Sequence, residues 1–153
     1  MKQIASFSVD HDAIVPGMYV SRIDGDAVTY DLRTRKPNGG DYMSNLTMHS
    51  VEHILATLLR NSERGNEVIY FGPMGCRTGF YLILRDTVSP TDAYDLLCRV
   101  LAQAAGEPAM FGATRKECGN YRGLSLAAAK AECAEYLAVL TAQGPHFDYP
   151  KGA

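Results

Sequence analysis

Between Ser44 and Ser62 one helical repeat carries two faces of opposite chemistry, and that contrast limits how the chain can pack. Val51, Ile54, Leu55, Leu58 and Leu59 recur at the spacing of an apolar stripe. His49 and His53 project roughly the other way, with Glu52 beside the second histidine. At about 100° per residue, positions 49 and 53 lie roughly 40° apart, so both imidazoles reach one ion and the carboxylate stands by as an acid or base. The stripe demands burial, which means that the histidines are not core fillers. Ala56 is small enough to let a ligand or another chain segment approach the same face. The pattern alone leaves open a plain solvated face that carries two histidines by chance.

Around this helix the chain punctuates itself clearly. Apolar runs at Ile4 to Val9, Met18 to Ile23 and Ala27 to Leu32 read as strands, with a hairpin across Asp24-Gly25. A loop at Pro37-Asn38-Gly39-Gly40-Asp41 precedes the histidine helix, which Ser44 or Thr47 caps and which runs to about Ser62. Strands near Glu67 to Phe71 and Gly79 to Thr87 flank the loop Gly72-Pro73-Met74-Gly75-Cys76-Arg77-Thr78. Ser89-Pro90-Thr91-Asp92 starts a helix that ends near Gly106, and Ser125 caps a last helix to about Ala142. Helices and strands do not alternate regularly, so the expected fold is α+β: a mainly antiparallel sheet covered by helices.

A length of 153 residues suits a single domain, 1–153. Fifteen basic and seventeen acidic residues are mixed along the chain for a net charge of −2, which gives no footprint for nucleic acid or an anionic membrane. Asp10 and His11 interrupt the region where a signal peptide needs an apolar run, so a cytoplasmic location is expected. The four cysteines form no CxxC pair. Cys98 shares a helical stripe with Tyr94, Leu97 and Leu101, and Cys133 shares one with Ala129, Leu137 and Leu140, so both read as core residues.

Two histidines leave a divalent ion under-coordinated. A third protein ligand is needed, with one position open if the site is catalytic. Cys76 and Cys118 both sit in glycine-flanked loops, and spacing does not say which binds metal and which stays a free thiol; aspartate ligands are a further option. A thiol beside a metal, and beside Arg77, can take and return a proton. Arg33 and His11 are weak signals taken alone, because an arginine after a strand is usually a solvated charge and a histidine near a terminus is usually on the surface. His146, near Phe147 and Tyr149, carries no assigned role.

The chain resembles the LuxS family of S-ribosylhomocysteine lyases, whose product is the precursor of the autoinducer-2 quorum-sensing signal. The resemblance runs through Ser6-Phe7 to Asp10-His11, Asp31-Leu32-Arg33 with Pro37-Asn38, His49 to His53, Pro73 to Tyr81, and Cys118-Gly119-Asn120-Tyr121. It implies that His49, His53 and Cys118 hold the metal, that Cys76 and Glu52 move protons, and that Ser6, His11 and Arg33 contact substrate. It also implies one ferrous ion per subunit, replaceable by zinc or cobalt, and a homodimer with active sites at the interface. The implied reaction moves the carbonyl of the open-chain ribose from C1 to C3 and then expels homocysteine from C5 by β-elimination, leaving 4,5-dihydroxy-2,3-pentanedione. No nicotinamide, flavin or pyridoxal cofactor is called for, and the chain carries no convincing GxGxxG or P-loop pattern. Three departures stand out: a short stretch between His11 and Arg33, Gly72 where a serine often stands, and Leu124 where a histidine often stands. Two rival readings share the HxxEH pattern. One is an inverted zinc metallopeptidase with a downstream acid as third ligand; the other is a closed structural zinc site using Cys76 as a fourth ligand.

Overall fold

The structure, a computed structural model, describes residues 1–153. Four strands, β1 (Gly17–Asp24), β2 (Ala27–Arg33), β3 (Val68–Pro73) and β4 (Gly79–Arg85), form one antiparallel sheet in the order β1-β2-β4-β3. Four helices complete the fold: α1 (Ala5–Ser8), α2 (Asn45–Arg60), α3 (Pro90–Ala104) and α4 (Leu126–Gln143). The α+β expectation holds, and every ladder is antiparallel. No helix is long and apolar enough to cross a membrane.

Alternation along the strands sends Met18, Val28, Tyr30, Leu32, Leu82 and Leu84 to one face, where they join a single apolar core with α2, α3 and α4. On α2 the predicted stripe is the buried one: Val51, Ile54, Leu55, Leu58 and Leu59 all lie in that core. Each fully buried leucine or isoleucine contributes about 1.5–3 kcal/mol, so the roll of α2 about its axis is strongly specified. Ala56 is half-buried and packs against the same core. Cys133 is fully buried, and burial pushes its thiol up to about 12. Cys98 is half-buried beside the core.

Local chemistry accounts for most boundaries. Ser44 caps α2 by accepting from the Thr47 amide, so Thr47 is not the cap. Ser89 caps α3 and Ser125 caps α4 in the same way. Asp24 pairs with Ala27, and Gly25, at φ 59°, turns the chain between them. At Gly79 a Cβ would sit 2.5 Å from the Leu32 carbonyl oxygen, so close pairing of β4 with β2 requires glycine there.

One predicted strand is absent. Residues Ile4 to Val9 instead form the single turn α1, closed by Gln3 Nε2 donating to the Phe7 carbonyl and Ser8 Oγ to that of Ala5. A strand there would need a partner, and the free edge of β1 is already taken: the Val20 amide donates to the Phe147 carbonyl of the C-terminal tail at 2.9 Å. At the opposite edge the Arg60 guanidinium donates to the Val68 and Ile69 carbonyls of β3.

A buried pair ties the end of the sheet to α4: Arg35 Nη2 donates to Glu132 Oε2 at 2.8 Å. Burial raises the Glu132 carboxyl above its usual range, and the Arg35 charge opposes that rise. The core and the caps make different demands, and urea unfolding separates them. Leu59→Ala, at a fully buried position, is expected to lower the unfolding free energy by about 2–5 kcal/mol. Ser89→Ala should cost only about 1 kcal/mol.

Candidate metal centre

Because the apolar stripe of α2 faces the core, His49 and His53 point to the other side, half-buried, with ring centroids 4.6 Å apart and planes at 90°. Two loops reach across to meet them. The Phe111 carbonyl accepts from His53 Nδ1 at 2.9 Å, and the Gly123 carbonyl accepts from His49 Nδ1 at 2.8 Å. Both rings are thereby held with the proton on Nδ1 and the lone pair on Nε2. Gly112, at φ 64°, lies against the His53 ring; a Cβ there would stand 3.1 Å from Nδ1.

The second loop also delivers the third donor. Cys118 Sγ lies 3.4 Å from His49 Nε2, and the ligand atoms of His49, His53 and Cys118 all fall within 4.8 Å of one another. Two donors on one tetrahedral ion, with metal–sulfur and metal–nitrogen bonds of ordinary length, stand about 3.5 Å apart. The Cys118–His49 pair matches that spacing. The Asn120 amide donates to Cys118 Sγ at 3.3 Å. Small staples order these loops. Glu117 accepts from the Thr114 amide and hydroxyl, which holds its carboxyl below the usual range. Ser50, one residue after His49 and fully buried, accepts from the Ser125 amide at 2.8 Å.

Of the two cysteines left open by spacing, Cys118 joins the histidines. Cys76 is exposed and opens instead onto clefts that it shares with His11, Tyr42 and Thr78, and with Ser6, Arg33 and Tyr81. The ligand histidine His49 lines a separate cleft with Asn45, Leu46, Asn120 and Gly123. With the Cys118 sulfur as third donor, the acidic ligand expected of an inverted metallopeptidase is not needed, and within one protomer Cys76 does not close a four-ligand site. Glu52 sits half-buried on α2 between the two histidines.

Arg33 departs from the solvated charge expected of an arginine at a strand end. It is 3% exposed. Its Nε and Nη2 donate to Asp31 Oδ1 and Oδ2 at 3.0 and 2.7 Å, and its Nη1 donates to Thr78 Oγ1 at 2.9 Å. Thr78 Oγ1 in turn lies 3.0 Å from Cys76 Sγ. Asp31 and Thr78, both 2% exposed, were not singled out as site residues from the sequence. The readable signal was the pair Asp31 and Arg33, two apart on a strand and therefore on one face. His11 is half-buried, its Nδ1 donating to the Val9 carbonyl at 2.8 Å, and Ser6 is carried on α1 beside the same cleft. At Gly72 the exposed Tyr70 ring folds back over the backbone, its hydroxyl lying where a Cβ would stand.

A family model described as S-Ribosylhomocysteinase (LuxS) matches residues 4–145. An S-ribosylhomocysteine lyase of Borrelia garinii subsp. bavariensis is 45% identical over 147 residues, covering 92% of this chain and 93% of the relative. One from Clostridium beijerinckii is 44% identical over 138 residues, covering 85% and 86%. One from Desulfotalea psychrophila is 42% identical over 142 residues, covering 89% of both.

Elemental analysis of purified variants checks the ligand assignment. Cys118→Ala should lose bound metal, whereas Cys76→Ala should keep the wild-type stoichiometry. Gly112→Ala, which crowds the His53 ring, should weaken metal affinity by about 10–100-fold in chelator competition.

Proposed function

This chain belongs to the S-ribosylhomocysteinase (LuxS) family, and from that premise we propose that it cleaves S-ribosylhomocysteine to homocysteine and 4,5-dihydroxy-2,3-pentanedione, with His49, His53 and Cys118 holding the metal. The observation that carries the reading is the three-donor group, with two imidazoles held in one tautomer and the Cys118 sulfur beside them. Three protein ligands leave a position for substrate, and a divalent ion bound there polarises a carbonyl and stabilises the charge that develops as an adjacent proton leaves. Ferrous iron is the proposed resident ion. First-row divalent ions all suit imidazole and thiolate donors, which supports replacement by zinc or cobalt.

The remaining work falls to side chains. Cys76, as thiolate, removes the proton from C2 of the aldehyde form and returns it to C1, moving the carbonyl to C2. A second such transfer moves the carbonyl to C3. Glu52 passes protons between the substrate oxygens during both steps. Removal of the C4 proton then forms a C4–C5 double bond as the C5–sulfur bond breaks; the electron pair leaves with sulfur, homocysteine departs after protonation, and the enol left behind takes a proton at C5 and releases its hydroxyl proton to give the diketone. No net oxidation occurs. Ser6, His11 and Arg33 line the cleft of Cys76 and bind the substrate chain.

The reading requires Cys76 and the metal ligands to meet, and in one protomer they open onto different clefts. A homodimer in which one subunit brings Cys76 to the ligands of the other supplies the contact. Exposed Ile4, Phe7, Ile23 and Tyr70 support such an association, since large apolar side chains left in water favour a partner surface. A cytoplasmic location, with cysteines kept as thiols, completes the proposal.

Homocysteine release from S-ribosylhomocysteine, read as free thiol with anaerobically purified protein, should require metal and disappear after chelation. Cys76→Ala and Glu52→Gln should each lower kcat by about 10²-fold or more while retaining metal. Mixing inactive Cys76→Ala and His53→Ala proteins, with unfolding and refolding to exchange subunits, should restore about a quarter of wild-type activity if each site draws on two subunits. No restoration would place each site within one chain.

A further inference from the structure

The C-terminal tail reaches the Cys76 cleft from across the sheet. After the Phe147 carbonyl takes the β1 edge amide of Val20, Phe147 packs its ring against Tyr94 at the helix side, with ring centroids 6.4 Å apart. Two residues on, Tyr149 stacks on Tyr19, with centroids 4.8 Å apart and planes at 24°. Its hydroxyl donates to Asp31 Oδ2 at 2.7 Å, the oxygen that also accepts from Arg33 Nη2.

We propose that Tyr149 is a positioning residue for the Cys76 thiol: it fixes Asp31, Asp31 fixes the guanidinium of Arg33, and Arg33 holds Thr78 Oγ1 against Cys76 Sγ. The inference rests on the reading that Cys76 serves the lyase reaction. The links form one unbroken chain of hydrogen bonds and close contacts, Tyr149 to Asp31 to Arg33 to Thr78 to Cys76, spanning residues 31 to 149. All three middle members are buried. A buried ion pair holds its geometry only when its remaining polar atoms are satisfied. The guanidinium occupies both carboxylate oxygens from one side, and the Tyr149 hydroxyl takes a further lone pair on Oδ2. Without that donor a lone pair on Oδ2 is left unsatisfied in a buried site, the ion pair shifts to satisfy it, and the Nη1 contact with Thr78 shifts with it. Burial and the Asp31 charge keep the Tyr149 phenol above its ordinary range, so it remains a donor at neutral pH. The stack on Tyr19 fixes the direction in which it donates.

Tyr149→Phe tests the claim, because it keeps the ring and removes only the donor. Alkylation of Cys76 by iodoacetamide, followed by peptide mass spectrometry of the metal-loaded protein, reads the thiol without substrate. The expected result is Cys76 alkylation slowed about three- to tenfold and kcat lowered by a similar factor, the scale of one hydrogen bond, with Tm within a few degrees of wild type. Tyr136→Phe is the control: it removes a buried hydroxyl that donates to the Gly17 carbonyl, outside the hydrogen-bonded chain from Tyr149 to Cys76, and should lower Tm without changing Cys76 alkylation. A chain ending at Asp148 should slow alkylation at least as much as Tyr149→Phe. Wild-type alkylation in Tyr149→Phe, or equal slowing in the Tyr136→Phe control, overturns the proposal. Failure of both Tyr149 variants to fold would make the residue purely structural and overturn it too. If Cys76→Ala still releases homocysteine, the lyase role of Cys76 falls, while the alkylation rates still decide whether Tyr149 positions the thiol.

Discussion

Burial of the α2 stripe against the sheet and its two neighbouring helices governs where both imidazoles of the candidate centre stand. A helix has one degree of freedom that backbone hydrogen bonds do not fix, its roll, and Ile54, Leu55, Leu58 and Leu59 remove it. The imidazoles are then carried to the opposite side by covalent geometry alone. Nothing else in the protein has to push them there. A slip of one residue would turn the pair by about 100° and bring a polar face onto the core.

The third donor comes from a different source of order. The segments holding Phe111, Cys118 and Gly123 lie outside regular structure, and they are tied down by a few contacts: Glu117 on Thr114, Ser50 on the Ser125 amide, and the two histidine protons on carbonyls. Each histidine thus offers one nitrogen to the candidate centre and anchors a loop with the other. A metal at the centre would order these loops, and ordered loops would hold the metal, so affinity and local stability are two readings of one equilibrium.

The sequence carried much of this plainly and some of it not at all. Helix α2 was readable because its period is long and its cap, Ser44, is a polar side chain at the right offset. The hairpin at Gly25 was readable because a left-handed residue suits glycine. The run from Ile4 to Val9 misled, since alternation marks a strand only where a partner edge is free, and that edge belongs to residues 120 or more positions away. Arg33 misled for a related reason. A charged residue at a strand end is usually solvated, and its burial here depends on Asp31, Thr78 and Tyr149 converging from three parts of the chain. Choosing between Cys76 and Cys118 as ligand likewise needed loop paths that local patterns do not encode.

The two margins of the sheet are closed by unlike devices, the C-terminal tail at β1 and the Arg60 guanidinium at β3, where Pro73 also lacks an amide proton. A sheet with both rims occupied offers no template for a further strand. Copies of this protein therefore have little means of growing edge to edge into continuous ribbons.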